Sequence, residues 1–168
     1  MRHSRIRRYL RHGTLPQLAM FEASARLGAI LGTASPAAEE ACAAYGRALG
    51  TAFQLVDDLL DYEGNSAELG KNVGDDLREG KPTLPLLVAM QRGSAEQRAL
   101  IRQAIEQGEV ERMAEIVEIV KATGALQATR EAAQAHAEQA QRCLQALPAS
   151  PWREALLQLS FDSIHRSS

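Results

Sequence analysis

From Leu15 to Leu31 apolar residues recur at helical spacing through Leu18, Phe21, Ala25, Gly28 and Leu31. Small residues at Ala23, Ser24, Ala25, Gly28 and Ala29 allow a close neighbour, and the spacing predicts a first helix. Ser35 and Pro36, followed by Glu39, predict the start of a second, with serine as N-cap, proline at the first helical position and an acid in the first turn. It runs to Tyr62 or Glu63, a span of about 40 Å at ~1.5 Å per residue, and Gly64-Asn65 ends it. Gly46 and Gly50 inside it lower helicity and leave room for a neighbouring helix or a substrate. Residues 64–81 show no long period and predict a functional loop. Pro82–Met90 predicts the next helix, with Pro85 in its first turn and Gly93-Ser94 as its break. Ser94 to Gln97 fits a capped start for a helix to Gln107. Gly108 then separates it from Glu109–Thr123, whose apolar stripe is Val110, Met113, Ile116, Val117 and Val120. Gly124 is a candidate C-cap, Ala125–Leu147 an alanine-rich helix stopped by Pro148, and Ser150-Pro151-Trp152 the start of a last helix to about His165. No segment alternates clearly enough for a strand, so the fold class is all-α, a helical bundle.

Composition agrees with that class. The 168 residues suffice for one compact domain. Aromatics at 4% and abundant alanine favour close helix packing over sheets. A net charge of −2 gives no overall pull toward nucleic acid, but the charge is uneven. Residues 1–12 carry five arginines, two histidines and no acid. A basic arm for phosphate or nucleic acid is one reading; a solvated start of little specific function is the simpler one. Residues 1–17 therefore divide off as a divergent basic arm and 18–168 as the domain. Cys42 and Cys143 have neither metal nor disulfide spacing and read as reduced thiols of a cytoplasmic protein. There is no apolar run long enough for a membrane span and no stretch of signal-peptide type. His136 and His165 have no partner at metal-ligand spacing and read as solvated helix residues.

The chemistry concentrates between Gly50 and Lys81. Asp57, Asp58 and Asp61 lie inside an otherwise apolar helical run. At about 100° per residue, Asp57 and Asp61 share one face. Gln54 borders that face, and Phe53, Leu55, Val56, Leu59 and Leu60 supply apolar surroundings. Carboxylates in such a setting are costly to desolvate. A hard divalent cation offsets the cost: carboxylate oxygens suit Mg²⁺, which keeps several waters and commonly binds substrate phosphate as well. Lys71 and Lys81, on the loop with Asp75 and Asp76, then serve as point charges for the same phosphate. The alternative is a solvated acidic helix end followed by a polar loop. Phe53-Gln54 before the acids, and Gly70-Lys71, Asp75-Asp76 and Gly80-Lys81-Pro82-Thr83 after them, weigh against it.

Phe53 to Tyr62, then Gly70-Lys71, Gly74 to Leu77 and Glu79 to Pro85, resemble the second aspartate-rich region of trans-polyprenyl diphosphate synthases, most of all the octaprenyl type of bacterial quinone biosynthesis. The resemblance runs from about Phe21 to the C-terminus and is strongest over 46–87. It implies the C-terminal part of the isoprenoid synthase fold. It also implies a transferase that joins isopentenyl diphosphate to an allylic diphosphate. In that reaction the allylic C–O bond ionises, the alkene attacks the cation and a proton leaves. The protein stabilises the departing diphosphate and keeps water from the cation. By resemblance, Asp57 is a direct Mg²⁺ ligand, and Asp58, Asp61 and the loop acid Asp76 bind directly or through water. Asp57, Asp58 and Lys71 carry the catalytic role; Lys71 and Lys81 contact diphosphate; Gln54 and Phe53 lie beside the allylic substrate.

Two departures qualify the resemblance. The family has a Lys-Thr pair just ahead of the positions matching Phe21-Glu22, where this chain has Pro16-Gln17. The family also needs a first aspartate-rich motif upstream, and the only acids before Asp57 are Glu22, Glu39 and Glu40. The expectation is a C-terminal synthase portion, poorly active alone, that forms a homo-oligomer or pairs with an N-terminal synthase half. A non-catalytic partner or regulatory subunit of a prenyl synthase, and a purely structural helical protein, are the competing readings.

Overall fold

The computed structural model describes residues 15–63, 74–108 and 111–165. The arm before Leu15, the Gly64-Asn65 stop, Lys71 and Val110 lie outside the described residues. Those residues form α1 (Leu15–Leu31), α2 (Pro36–Glu63), α3 (Asp75–Arg78), α4 (Leu84–Arg92), α5 (Ala95–Gln107), α6 (Met113–Ala122), α7 (Ala125–Cys143) and α8 (Pro151–His165). A 3₁₀ turn over Leu144–Ala146 follows α7, and no strand occurs among the described residues. None of the described helices is long and apolar enough to cross a membrane.

Local chemistry sets most boundaries. Ser35 caps α2, its Oγ accepting from the Ala38 amide at 3.3 Å. Ser94 closes a full capping box on α5: its Oγ accepts from Gln97 N at 3.2 Å, and Gln97 Oε1 accepts from Ser94 N at 2.9 Å. Gly108 ends α5 at φ 63°, and Gly124 lies just past α6 at φ 66°. The chain departs from expectation at several points. A one-turn helix, α3, falls inside the predicted loop. Helix α4 starts at Leu84 rather than Pro82, with Thr83 as its N-cap. Helix α6 starts at Met113 rather than Glu109, because Arg112 sits at φ −104°, ψ 24° and its guanidinium pairs with Glu115. Helix α7 tightens to a 3₁₀ turn after Cys143 instead of running on to Leu147.

The chain folds as two compact units, one over residues 57–131 and the other over 15–56 with 132–165. In the first, α4 packs on α5 and α6, α5 on α6, and α3 on α5. Leu59, Tyr62, Leu77, Leu86, Ile101, Ile116 and Val120 are buried there. Arg92 donates to the Thr123 and Gly124 carbonyls at 3.1 and 3.0 Å and so satisfies the end of α6. In the second unit Tyr45, Ala48 and Leu49 of α2 pack with Ala140 and Leu144, joined by Phe21, Ala25 and Leu156. The Tyr45 hydroxyl donates to the Leu156 carbonyl at 3.0 Å. Arg26 and Arg47 hold Glu22, Glu39 and Glu40 in a surface ion-pair network between α1 and α2.

The predicted stripe of α1 is only partly inward. Leu18, Phe21 and Ala25 are half-buried, but Gly28 is exposed and Leu31 is 76% exposed. The apolar residues of α1 are spread around the helix, so Met20, Leu27 and Ile30 also face outward. His136 is half-buried rather than solvated, and burial pushes its imidazole below the ordinary histidine range. His165 is exposed and stacks on Phe161 at 3.9 Å between ring centroids.

Of the two readings of Gly46 and Gly50, a neighbouring helix is what the structure provides. A Cβ at Gly46 would overlap the Phe21 carbonyl oxygen and lie 2.9 Å from Glu22 Cα; one at Gly50 would lie 3.0 Å from Phe21 Cβ. Helix propensity alone makes Gly→Ala favourable by about 1 kcal/mol. At Gly46 a clash with backbone of about 1–3 kcal/mol wins. Denaturant unfolding of Gly46→Ala therefore shows a loss of stability, whereas Gly28→Ala, with nothing within 4 Å of the added Cβ, shows a gain.

Candidate functional site

Helix α2 delivers its three acids to different depths. Asp58 is fully buried, and Asp57 and Asp61 are partly buried. Leu59 and Tyr62, next to them in the last turns of α2, are buried as well. A carboxylate in such surroundings keeps its charge only if other groups replace the lost water.

For Asp61 the replacement comes from the returning chain. Gly74 N donates to the Asp61 carbonyl at 3.1 Å. Asp75 N donates to Oδ1 at 3.1 Å and Asp76 N to Oδ2 at 3.3 Å. Three successive amides thus converge on one residue, and this fixes α3 against the end of α2. Gly74 turns the chain at φ 83°, a left-handed value, and the Met113 side chain covers the space a Cβ would take. The amides do not fully offset desolvation. Burial, and next the nearby Asp76 carboxylate, hold the Asp61 carboxyl above its usual range.

The cations stand at the rim. Lys81 Nζ lies 3.1 Å from Asp76 and 2.6 Å from Glu79, with its side chain 55% exposed. Those hydrogen bonds, Glu79's first and Asp76's second, raise its pKa, so it stays charged. The Lys81 amide also donates to the Asp76 carbonyl at 2.9 Å, which ties the lysine to the acidic turn. Arg78 pairs with Asp75. Glu63, the last residue of α2, pairs with Arg130 at 2.5 Å.

Two hydroxyls sit beneath this cluster. Tyr62 and Thr83 are each 2% exposed. Among the described residues, Tyr62 Oη and Thr83 Oγ1 have no partner in hydrogen-bond geometry, although the two are neighbours. Burial foremost, and the charges of Asp61, Asp76 and Asp58 in addition, push the Tyr62 phenol up, so it remains a protonated donor.

The donor set is all oxygen, which suits a hard cation. Among the described residues no three acidic, histidine or cysteine side chains converge closely enough to wrap an ion unaided.

The structure thus brings Asp61, Asp76 and Lys81 together and places Asp57 and Asp58 on the same helix end. Lys71 lies outside the described residues. Gln54 is partly buried one turn before Asp57, and Phe53 packs on Phe21 at 5.5 Å between centroids. Sequence reasoning missed Tyr62 and Thr83 as a pair. The available signal was only partial: Thr83 precedes Leu84-Pro85, a place suited to a helix N-cap, but nothing local in the sequence pairs it with Tyr62.

The polyprenyl synthetase family profile matches residues 5–122. The octaprenyl diphosphate synthase of Escherichia coli (strain K12) is 51% identical over 148 residues, covering 88% of this chain and 46% of that protein. The all-trans-nonaprenyl-diphosphate synthase (geranyl-diphosphate specific) of Rhodobacter capsulatus is 42% identical over 149 residues, covering 89% and 45%. Among solved structures, the polyprenyl synthase of Caulobacter crescentus CB15, complexed with calcium and isoprenyl diphosphate, superimposes with a TM-score of 0.85 at 39% identity. The alignment covers 95% of this chain and 49% of that one. The chain spans about half the length of the relatives it matches.

The electrostatics of Asp61 can be checked directly. Its folded pKa is raised, so the folded chain binds this proton more readily than the unfolded chain. The cost of ionising Asp61 is present above the folded pKa and is relieved as pH falls through it. A carboxyl-detected NMR titration without cation places the Asp61 midpoint above 3.8, and a midpoint at or below 3.8 contradicts dominant burial.

Proposed function

The chain belongs to the polyprenyl synthetase family, and on that premise we propose that it supplies the second aspartate-rich half of a prenyltransferase. That enzyme joins isopentenyl diphosphate to an allylic diphosphate and makes a long-chain polyprenyl diphosphate for isoprenoid and quinone side-chain biosynthesis in the cytoplasm. One observation carries this reading: Asp61, on an apolar helix that also bears Asp57 and Asp58, gathers the turn that presents Asp76 and Lys81.

In this reading Asp57 ligates magnesium directly, with Asp58, Asp61 and Asp76 binding directly or through water. Lys81, and Lys71 from the intervening segment, neutralise diphosphate oxygens. Gln54 and Phe53 border the allylic substrate. When bound, magnesium acts as a Lewis acid on the diphosphate and eases its departure. The buried walls around Asp58 exclude water and strengthen each charge contact within.

The exposed apolar side chains support a partner. Met20, Leu27, Ile30 and Leu31 on α1 are 51–76% exposed, and Trp152 on α8 is 80% exposed. A second copy, or the other half of a synthase, would cover them. A second reading, a non-catalytic partner or regulatory subunit, is favoured by the acids preceding Asp57. Glu22, Glu39 and Glu40 are all held in ion pairs with Arg26 or Arg47.

Mixing the chain with an N-terminal synthase half, or with an intact synthase, separates the two. Prenyl transfer restored with the half supports the enzyme. A change only in the intact synthase's rate or product length supports regulation. In the restored enzyme Asp57→Ala lowers turnover on the order of a hundredfold. Glu63→Ala, which breaks only the pair with Arg130, leaves turnover within a few-fold by comparison. Equal losses would remove Asp57 from the proposed role.

A further inference from the structure

Thr83 stands at the N-cap of α4 with an extended backbone, φ −66° and ψ 163°, yet its side chain makes no capping hydrogen bond. Elsewhere the chain uses such hydroxyls in the ordinary way. The Oγ atoms of Ser35, Ser94 and Ser150 accept from Ala38 N, Gln97 N and Arg153 N at 3.3, 3.2 and 3.2 Å. The Thr83 hydroxyl is instead buried beside the Tyr62 hydroxyl; the two interact with each other, but neither meets full hydrogen-bond geometry with any described residue.

Two adjacent buried hydroxyls whose contact with each other falls short of hydrogen-bond geometry are unfavourable, because each has given up its water for a poor replacement. Their surroundings say what could satisfy them. Asp58 lies one turn before Tyr62 on the same helix face and is fully buried. Asp61 precedes Tyr62 directly. Asp76, whose amide binds Asp61, belongs to the same cluster. Carboxylates are acceptors; both hydroxyls can donate.

We propose that Tyr62 and Thr83 are positioning residues of the acidic site, whose hydroxyls donate to the carboxylates of Asp58, Asp61 or Asp76 when these turn to hold a cation–diphosphate ligand. The inference rests on the metal–diphosphate reading above and deepens it. Hydrogen bonds behind ligating carboxylates orient them and tune their affinity, and removing such a partner typically weakens binding about 10- to 100-fold. In the ligand-free chain the same hydroxyls are a liability. Their removal by shape-conserving substitution therefore has opposite effects on the two states.

The test uses the whole chain and its Tyr62→Phe, Thr83→Val and Thr83→Ser variants. Thermal unfolding is measured with chelator, and pyrophosphate binding is measured by calorimetry in excess Mg²⁺. Tyr62→Phe and Thr83→Val are expected to melt at or above the wild-type temperature in chelator. Both bind pyrophosphate about tenfold more weakly or worse, and Thr83→Ser restores affinity. If the hydroxyls serve only the fold, for example through a permanently buried water, both variants melt lower in chelator and bind unchanged. That result overturns the proposal. Failure of Thr83→Ser to recover binding overturns it for Thr83. A wild-type chain that binds no pyrophosphate at all overturns the metal–diphosphate reading, and this inference with it. Wild-type binding with unaltered variants overturns this inference alone.

Discussion

Taking carboxylates out of water is the constraint on which the acidic end of α2 depends. Asp58 is wholly buried and Asp61 partly so, in a helix whose neighbouring positions are Leu59 and Tyr62. Nothing in helix formation requires acids there; leucine would serve packing better. The protein meets part of the cost with backbone amides from Asp75 and Asp76 and leaves part of it standing, as the raised Asp61 carboxyl records. On the proposed function, a divalent cation removes the remainder. Stability and function therefore pull in opposite directions at this site, as expected where binding energy is held for a ligand.

The same amides have an organising consequence. By accepting three backbone hydrogen bonds through its side chain and carbonyl, Asp61 places the turn at 74–76 and hence α3. The turn needs Gly74 at φ 83°, because Met113 fills the only direction a side chain could take. From α3 the chain reaches Lys81, whose amide and ammonium both address Asp76. Acid and base are thus delivered together by a short segment fixed at one end. Lys81 satisfies Asp76 at an exposed rim, where exchange of that partner for a phosphate carries little penalty.

Much of this was legible in the chain itself. The span of α2 follows from Ser35-Pro36 at one end and loss of period at the other, and α5 follows from Ser94 and Gln97. The acids of α2 stood out because Asp57 and Asp61 recur at helical spacing within an apolar run. Other features depend on partners distant in sequence. No local rule assigns the Asp75 and Asp76 amides to a carboxylate fourteen and fifteen residues earlier. The late start of α6 turns on the backbone conformation at Arg112, which its side chain does not dictate. Glycine at 46 signalled close approach but not its object, since a substrate and the backbone of Phe21 ask the same thing of a missing Cβ. On α1, apolar residues spread around the helix concealed which side faces inward. Thr83 was obscured differently: the expected start at Pro82 put it inside the helix, and only the structure shows it at the N-cap with no capping hydrogen bond from its side chain.

A crystal grown with Mn²⁺ and pyrophosphate tests the central claim most directly. Anomalous scattering from manganese reports the cation without relying on turnover. The account predicts a peak within coordination distance of Asp57 or Asp61, bridged to pyrophosphate, with Lys81 turned from Glu79 toward the phosphate. Manganese bound elsewhere, or pyrophosphate held with no cation at α2, would contradict it.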